Sequence, residues 1–379
     1  MKLRTLGLAL CLAAFAPTLS AKTLTVKTET GKIQVNTFAE GLENAWGMAF
    51  LPDGRMLVTE RAGRMRIVGV DGKLGEPLTG LPKIAAQGQG GLLDVVLAPD
   101  YATSKKIYFS YSEPGEGKSS KLASTAVSYA TLNGNALENV TRVFSQQPKV
   151  ESGNHFGSRL VWAPDGTLFI TLGDRYSEKD KAQTLDNHQG KVVRIKADGS
   201  IPKDNPFVNT PGALPEIWSY GHRNMQGAAI NPLTKELWTG EHGPQGGDEI
   251  NIDRAAKNYG WPVITYGENY GGGKIGEGTH KAGMEQPIYK WVPSIATAGF
   301  IFYTGDKFPQ WKNNILLASL REQTFVRLVV EGDQITKEER LLKSDVGQRL
   351  RHVVQGPDGL VYLLSDESKS KIFQLSPEK

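Results

Sequence analysis

The chain has 379 residues, of which 39% are hydrophobic, and its formal net charge is +4. A near-neutral chain without a basic tract is not expected to bind nucleic acid. After residue 21 no apolar run approaches the roughly 20 residues of a membrane-spanning helix. We therefore expect a protein that is not membrane-spanning and that is large enough to bury a substantial core.

Residues 1–21 have the features of a secretory signal peptide. A basic start at Lys2 and Arg4 precedes an apolar run that ends in small residues. The only cysteine, Cys11, lies within this segment, so the mature chain would have neither disulfides nor thiolate chemistry. We expect a periplasmic protein whose remaining residues, 22–379, form one domain.

The rest of the chain repeats one pattern: a short apolar strand, a turn that is often of Pro-Asp-Gly type, and a second alternating strand. The six copies begin at Gly47, Leu92, Leu160, Ala228, Gly299 and Val353. Proline fixes φ at the second position of a tight turn and glycine supplies positive φ, so each copy predicts a hairpin. Six hairpins without a convincing amphipathic helix predict an all-β fold, a six-bladed β-propeller of four-stranded antiparallel blades.

Two further patterns concern the ring of blades. The strand-like segments 24–27 and 33–36 precede the first copy, and we expect them to pair with the last blade and close the ring. The turns are spaced more widely in the middle of the chain, so the longest loops belong to the middle blades. Functional residues of a propeller are expected on such loops.

The stretch from Gly240 to Pro262 is unusually rich in glycine and acidic residues. Its carboxylates, at Glu241, Asp248 and Glu249, suggest too much charge for a buried element, and we interpret the stretch as a functional loop. Carboxylate and carbonyl oxygens suit calcium, which takes oxygen ligands at about 2.3–2.6 Å. The alternative, a solvated acidic turn, stays open on spacing alone.

Arginines occur at comparable places in several of the repeats, at the ends or starts of strands. They are Arg223, Arg321, Arg349 and Arg351. On a ring these positions surround one axis, and converging guanidinium groups need an anion with several carboxylates or phosphates. Each arginine taken singly is better explained as a solvated strand end, and it is their recurrence that favours a ligand.

His155 is the strongest candidate for a general base among the six histidines. It lies between glycines, next to amide side chains, just before a predicted strand. His222 and His242 are close rivals by the same criterion. Because a single histidine is more often a structural residue, the residues alone leave this role open.

From about Phe38 to Pro377 the chain resembles the soluble aldose sugar dehydrogenases of the glucose/sorbosone dehydrogenase family. These enzymes use pyrroloquinoline quinone (PQQ) on a six-bladed propeller. The matching motifs are Gly88–Asp94, Gly153–Gly157, Trp218–Asn224, Glu241–Asn251, Asn258–Pro262 and Gln348–Arg351.

The resemblance implies a set of site residues. His155 would be the general base, and Arg223 would help to polarise the quinone carbonyl. The residues that would hold PQQ are Gln89, Arg223, Asn224, Tyr270, Arg321, Arg349, Leu350 and Arg351. Gly243 and Pro244 would present carbonyl oxygens to a calcium ion on the cofactor, and Glu249 with the backbone of Tyr259 would bind a second calcium.

The chain departs from related glucose dehydrogenases at two of these places. Arg321 stands where they carry lysine, which keeps the charge but changes its geometry. Asn154 stands where they carry aspartate before the base, and we expect this change to remove a carboxylate that would raise the basicity of His155.

The function implied is oxidation of the anomeric C1 hydroxyl of an aldose to the lactone, with hydride transfer to PQQ and delivery of electrons to an unidentified acceptor. Tyr266, Tyr270 and Trp291 are candidates for the aromatic walls of a sugar cleft. Two alternatives stay open: a calcium-dependent lactonase, which would need carboxylate ligands from several blades at the axis, and a non-catalytic ligand-binding propeller. The oligomeric state does not follow from the sequence.

Overall fold

A computed structural model describes residues 23–116, 121–343 and 345–378. The predicted signal peptide, residues 1–21, lies outside the described residues. Within them the chain forms six antiparallel sheets, which are the blades of a β-propeller. The predicted fold is therefore confirmed.

The strands are numbered in chain order. Two strands precede blade 1: β1 (Leu24–Thr28) and β2 (Gly31–Leu42). Blade 1 contains β3 (Ala45–Phe50), β4 (Met56–Glu60), β5 (Arg64–Val68) and β6 (Leu74–Pro77). Blade 2 contains β7 (Leu92–Leu97), β8 (Lys106–Pro114), β9 (Ala123–Asn133) and β10 (Ala136–Ser145). Blade 3 contains β11 (Leu160–Trp162), β12 (Leu168–Thr171), β13 (Lys191–Ile195) and β14 (Ile217–Tyr220).

Blade 4 contains β15 (Met225–Ile230), β16 (Leu237–Glu241), β17 (Asp248–Asp253) and β18 (Tyr289–Trp291). Blade 5 contains β19 (Thr297–Phe302), β20 (Ile315–Ser319), β21 (Thr324–Glu331) and β22 (Gln334–Leu341). Blade 6 contains β23 (Leu350–Gln355), β24 (Val361–Ser365) and β25 (Ser370–Pro377) together with β2 and β1. Each of the six predicted hairpins forms the first two strands of a blade.

The ring is closed by the N-terminal strands, as the sequence predicts. Strand β2 pairs antiparallel with β25, with Val35 opposite Leu375, and β1 pairs with the free edge of β2. Blade 6 therefore has five strands, whereas the prediction was four. Joining the two ends of the chain in one sheet satisfies backbone groups that an open ring would leave unpaired at its edge.

Helices make a small contribution to the described part of the chain. The α-helix α1 spans Tyr101–Ser104, and 3₁₀ turns span Lys179–Gln183 and Pro309–Trp311. In the described ranges no helix has both the length and the apolar character needed to cross a membrane.

The core lies between adjacent blades. Separate buried clusters fill the spaces between blades 1 and 2, 2 and 3, 3 and 4, 4 and 5, 5 and 6, and 6 and 1. At the axis the first strands pack directly on one another. A Cβ on Gly227 would lie 2.4 Å from the Ala298 carbonyl oxygen, so only glycine permits this approach.

The order of strands decides where functional residues gather. The first strand of each blade lies nearest the axis, and all six first strands run in the same direction. Residues just before the first strand and just after the second strand therefore meet at one end of the propeller. This end carries the site.

Candidate active site

A cleft at this end consists of two adjoining cavities. The first, of about 370 Å³, is the base cavity, and it is lined by His155, Asp174, Tyr176, Ser177, Lys179, Arg223, Pro244, Trp261, Asn269, Tyr270 and Ile275. The second, of about 400 Å³, is the arginine cavity, and it is lined by Asn44, Trp46, Arg61, Gln89, Gln226, His242, Ala296, Leu320, Arg349, Arg351, Asp366 and Glu367. Both volumes are typical of ligand pockets.

Hydrogen bonds join the two cavities. The Gln89 side-chain oxygen accepts the His155 backbone N–H at 2.9 Å, and Arg223 Nη1 donates to the His242 carbonyl at 3.0 Å. A ligand that occupies both cavities would therefore lie between the base and the arginines.

His155 is held by a buried carboxylate. Its Nδ1 lies 2.6 Å from Asp174 Oδ1, and the backbone at His155 has a φ of 54°, in the left-handed region. With the proton on Nδ1 donated to Asp174, the Nε2 lone pair is left free to accept a proton. Burial lowers the pKa of His155, the Asp174 bond partly opposes this, and the positive charge of Arg223 lowers it further. The imidazole is therefore neutral at neutral pH and can act as a base.

The asparagine at position 154 does not leave the base without a carboxylate. Asp174, which follows the second strand of blade 3, supplies that carboxylate from a different loop. Asp174 was missed because it lies 19 positions from His155, after the end of the second strand, and only the fold brings the two together.

Asp174 is fully buried and is fixed by further donors. Its Oδ1 also accepts the Tyr176 backbone N–H at 2.7 Å, and its Oδ2 accepts the Trp261 indole N–H at 2.7 Å. A carboxylate with its oxygens satisfied in this way keeps the imidazole in one tautomer and one orientation.

Neither rival histidine is placed to act as the base: His222 is buried, and His242 is half-buried in the lining of the arginine cavity. His222 is fully buried between Glu241, 3.0 Å from Nδ1, and Asp253, 3.2 Å from Nε2. Burial by itself would lower the pKa of His222, but the two carboxylates raise it to about 9, so this histidine is already protonated. His242 bonds through Nε2 to the Thr297 carbonyl, and burial together with nearby arginines lowers its pKa to about 3.

Arg223, which lines the base cavity, and Asn224 lie just before β15. Arg223 Nη1 also donates to the Gly243 carbonyl at 2.7 Å, while its buried Nε has no partner among the residues that the structure describes. Asn224 accepts the Gly157 N–H at 3.1 Å, and its buried Nδ2 is also without a partner in the described part of the chain. Buried donors without partners are costly in an otherwise well-satisfied protein and are suited to acceptor groups of a ligand.

The arginine cavity has a buried side and an exposed side. Arg351 is buried and ion-paired with Asp366, whereas Arg349 is exposed. Arg61, a residue that the sequence reasoning missed, donates to the Gly88 carbonyl at 2.9 Å and lies 3.5 Å from Asp366. Three arginines face two carboxylates, those of Asp366 and Glu367, so the lining has an excess of positive charge.

Other predicted cofactor residues differ in how they can reach this cleft. Arg321 follows the end of β20 and donates to the Ser294 carbonyl at 3.4 Å beside the cavity wall. The side chain of Leu350 is fully buried in the cluster between blades 5 and 6, so only its backbone can face a ligand. Tyr270 is 66% exposed at the rim of the base cavity.

The other proposed aromatic walls are not equivalent to Tyr270. Trp291 is buried in the core between blades 4 and 5, and its indole N–H is donated to Glu338, so it does not form a cleft wall. Tyr266 bonds to Gln286 at 2.8 Å and is not part of the base-cavity lining. Tyr176, 52% exposed, lines the base cavity and packs edge-to-face against the His155 ring.

Glu241 and Asp248 of the acidic stretch are buried and Glu249 is partly buried, contrary to the expectation of a solvent-exposed loop. Glu241 ends β16, and Asp248 and Glu249 begin β17. Asp248 accepts the Gly243 N–H at 2.9 Å and the Ser294 hydroxyl at 2.7 Å. The alternative of a solvated turn is thereby removed, since these carboxylates organise the backbone around them.

A third cavity, of about 20 Å³, lies behind Arg223 and is large enough for an ion. Its lining includes Glu241, Gly243, Glu249 and Tyr259. Burial and the charge of Glu241 raise the pKa of Glu249 to about 8, which is the situation that a bound cation would relieve. Within the described ranges no three His, Cys, Asp or Glu side chains cluster in a way that could hold a metal, so an ion here would also need backbone oxygens.

The fold and the cleft define a class of protein: a propeller with a His–Asp pair beside a cationic ligand cavity. Residues 42–374 match the family model described as Glucose / Sorbosone dehydrogenase. The chain therefore belongs to this family of dehydrogenases.

Individual relatives agree with this assignment. The chain is 49% identical over 352 residues to the aldose sugar dehydrogenase YliI of Escherichia coli K12. The aligned region covers 91% of this chain and 93% of that protein. The structure of the apo form of the soluble aldose sugar dehydrogenase from Escherichia coli matches with a TM-score of 0.88 and 46% identity over 91% of this chain and all of that one. The PQQ-bound aldose sugar dehydrogenase of Streptomyces coelicolor matches with a TM-score of 0.75 and 26% identity over 96% of this chain and all of that one.

Proposed function

We propose that the protein is a periplasmic, calcium- and PQQ-dependent dehydrogenase that oxidises the anomeric C1 hydroxyl of aldoses to lactones. The observation that carries the proposal is the buried His155–Asp174 pair, which shares a cleft with a cavity rich in arginine. The names of the relatives, aldose sugar dehydrogenases with one structure bound to PQQ, support the substrate class and the cofactor.

The residues of the cleft fit PQQ. The cofactor has three carboxylates, and the arginine cavity offers Arg349, Arg351 and Arg61 with excess positive charge. Its carbonyl groups suit the unpartnered buried donors of Arg223 and Asn224. We assign the quinone to these residues with Gln89, Tyr270, Arg321 and the backbone of Leu350.

Calcium fits the same end of the site. Pro244 lines the base cavity, and the Gly243 carbonyl accepts from Arg223, which lines the same cavity, so the carbonyls of these two residues would hold an ion against the cofactor. The ion-sized cavity with Glu249 and the backbone of Tyr259 suits a second ion. A cation there would compensate the neighbouring Glu241 and Glu249 carboxylates.

The chemistry of the chain's own residues is proton removal. PQQ, when bound with calcium, supplies a hydride acceptor that a Lewis acid activates. His155 Nε2 takes the hydroxyl proton from C1 while the C1–H bond loses its hydride, and the C1–O bond becomes the carbonyl of the lactone. Asp174 stabilises the imidazolium that forms. An external acceptor must take up two electrons for each sugar oxidised.

The lactonase alternative has no supporting observation in the described residues. A lactonase would need carboxylate metal ligands from several blades at the axis, and no three-residue metal cluster occurs in the ranges that the structure covers. The axis there carries the Asp94–Arg159 ion pair, at 2.8 Å.

The test is a titration of apoprotein with PQQ and calcium, followed by a panel of aldoses with an artificial electron acceptor. We expect saturable binding with a change in the PQQ spectrum, aldose-dependent reduction of the acceptor, and slower turnover of aldoses deuterated at C1. Apoprotein without calcium is the control. A folded protein that leaves the PQQ spectrum unchanged would contradict the proposal, and comparison of the mature N-terminal residue with residue 22 tests export.

A further inference from the structure

Trp261 lies between the principal groups of the base cavity. Its indole N–H donates to Asp174 Oδ2 at 2.7 Å, and the Arg223 guanidinium carbon lies 5.4 Å from its ring centroid. The side chain is 7% exposed and borders both the base cavity and the ion-sized cavity. No step of the proposed chemistry uses the Trp261 side chain.

The indole bond is important because of how Asp174 is partnered. The Oδ1 atom of this carboxylate has two donors, His155 Nδ1 and the Tyr176 N–H. Among the described residues, the indole of Trp261 is the one donor to Oδ2. Asp174 is fully buried, so loss of that donor leaves a buried carboxylate oxygen unsatisfied.

Trp261 is itself anchored independently of Asp174. Its backbone N–H donates to the Gly221 carbonyl at 2.9 Å, and its carbonyl accepts from Gln183 Nε2 at 2.8 Å. These contacts hold the Trp261 backbone against the end of blade 3 and against the 3₁₀ turn Lys179–Gln183. The indole is therefore a fixed support against which the carboxylate is oriented.

We propose that Trp261 is a positioning residue of the reaction: by donating to Asp174 Oδ2 it fixes the plane of the carboxylate and so aims the imidazole of His155 at the substrate. This inference rests on the proposed function. It also predicts a direction for the pH dependence. Without the indole donor, more of the Asp174 charge is available to His155, which favours the imidazolium.

The test is Trp261→Phe, which keeps an aromatic face for Arg223 and deletes the N–H. We expect kcat/KM to fall by up to about 10²-fold, as for other small errors of alignment. In the pH profile of kcat/KM, the acid limb should move to higher pH. The Kd for PQQ should be unchanged. Trp311→Phe is the matched control, since its N–H bonds to Thr30 between blades 5 and 6. A merely structural role would lower Tm without moving the acid limb, and that result would overturn the inference.

A second variant covers the case in which Trp261→Phe does not fold. Benzothienylalanine at position 261 keeps the shape of the two rings and lacks only the N–H, so the same rate loss and the same shift are expected. If the wild-type protein neither binds PQQ nor oxidises aldoses, the proposed function fails and this inference fails with it. If the wild type is active and the isosteric variant keeps the wild-type pH profile, only the role of Trp261 is refuted.

Discussion

The two cavities of the cleft differ in how their charges are held. In the base cavity Asp174 is buried with donors on both oxygens, and it holds His155 in one orientation. In the arginine cavity Arg349 is exposed and the guanidinium groups outnumber the carboxylates. The first arrangement is organised before any ligand binds, whereas the second has charge left over for a ligand. We therefore expect substitutions in the base cavity to change rate and those in the arginine cavity to change affinity.

The largest expected effect is on rate. His155→Ala should lower kcat by about 10²–10⁴-fold, the usual contribution of a positioned base, while PQQ affinity is kept. His155→Asn is a useful second variant because asparagine tolerates the positive φ at this position. The measurement is steady-state kinetics with a PQQ titration of each variant.

His280→Ala is the control for that experiment, since His280 is exposed and bonds to Thr279 and Tyr266. Normal turnover by His155→Ala with bound PQQ would remove His155 from the mechanism. The role could not pass to His222, because that residue is fully buried and already protonated.

The next effect separates the two sides of the arginine cavity. Arg351→Ala leaves the buried Asp366 with its main partner removed, so we expect about 3–5 kcal/mol of lost stability as well as weaker PQQ binding. Arg349→Ala should weaken PQQ binding by about 1.5–3 kcal/mol, the range for a hydrogen bond to a charged group, and leave Tm unchanged. Denaturant unfolding and PQQ titration measure the two quantities.

Arg55→Ala is the control for this pair, because Arg55 pairs with Asp53 on the surface. Wild-type PQQ affinity in both cavity variants would mean that the arginine cavity does not hold the cofactor. Equal effects on Tm would contradict the distinction between its buried and exposed sides.

Bound calcium should stabilise the folded protein by an amount similar to the effects expected for the arginine variants. An ion that binds only the folded state adds about 2.7 kcal/mol at a hundredfold excess over its Kd, so chelation should lower Tm. Glu249→Gln removes one charge from the ion-sized cavity and should reduce the response to calcium. An unchanged melting curve after complete removal of metal, verified by elemental analysis, would rule out a stabilising ion.

The sequence predicted the features that recur in every blade. It did not predict the contacts between residues of separate loops. The six hairpins, the closing N-terminal strands and the arginines before or after strands follow from local patterns, because each blade uses the same positions. Arg61, Asp174 and Asp366 also occupy a repeated position, just after the second strand of a blade. They were missed because a single charged residue after a strand is indistinguishable locally from a solvated one.

The burial of charge was equally difficult to predict. Glu241 and Asp248 looked too polar for a strand, yet their partners are backbone N–H groups and side chains from other segments, such as Ser294, 46 positions from Asp248. Similarly, Trp261 reaches Asp174 across 87 positions. No pattern in one stretch reveals such pairs, since the contact depends on how two loops of neighbouring blades meet.

The smallest expected effect is on pH dependence, and it tests the base cavity most directly. The pKa of His155 is lowered chiefly by burial, and the bond to Asp174 partly opposes this. Because the neutral imidazole is the active form, kcat/KM should have its maximal value above this pKa and should fall as the pH falls through it. The acid limb is therefore expected below the ordinary value for histidine of about 6.5.

Asp174→Asn removes the contribution that raises the pKa, so the acid limb should move to still lower pH, together with a lower maximal rate. The direction is opposite to that expected for Trp261→Phe, which leaves the carboxylate in place and removes only its donor. Asp165→Asn, a substitution in a surface turn on blade 3, should leave the limb where it is. If Asp174→Asn moved the limb to higher pH, the carboxylate could not be acting on His155 through the 2.6 Å bond.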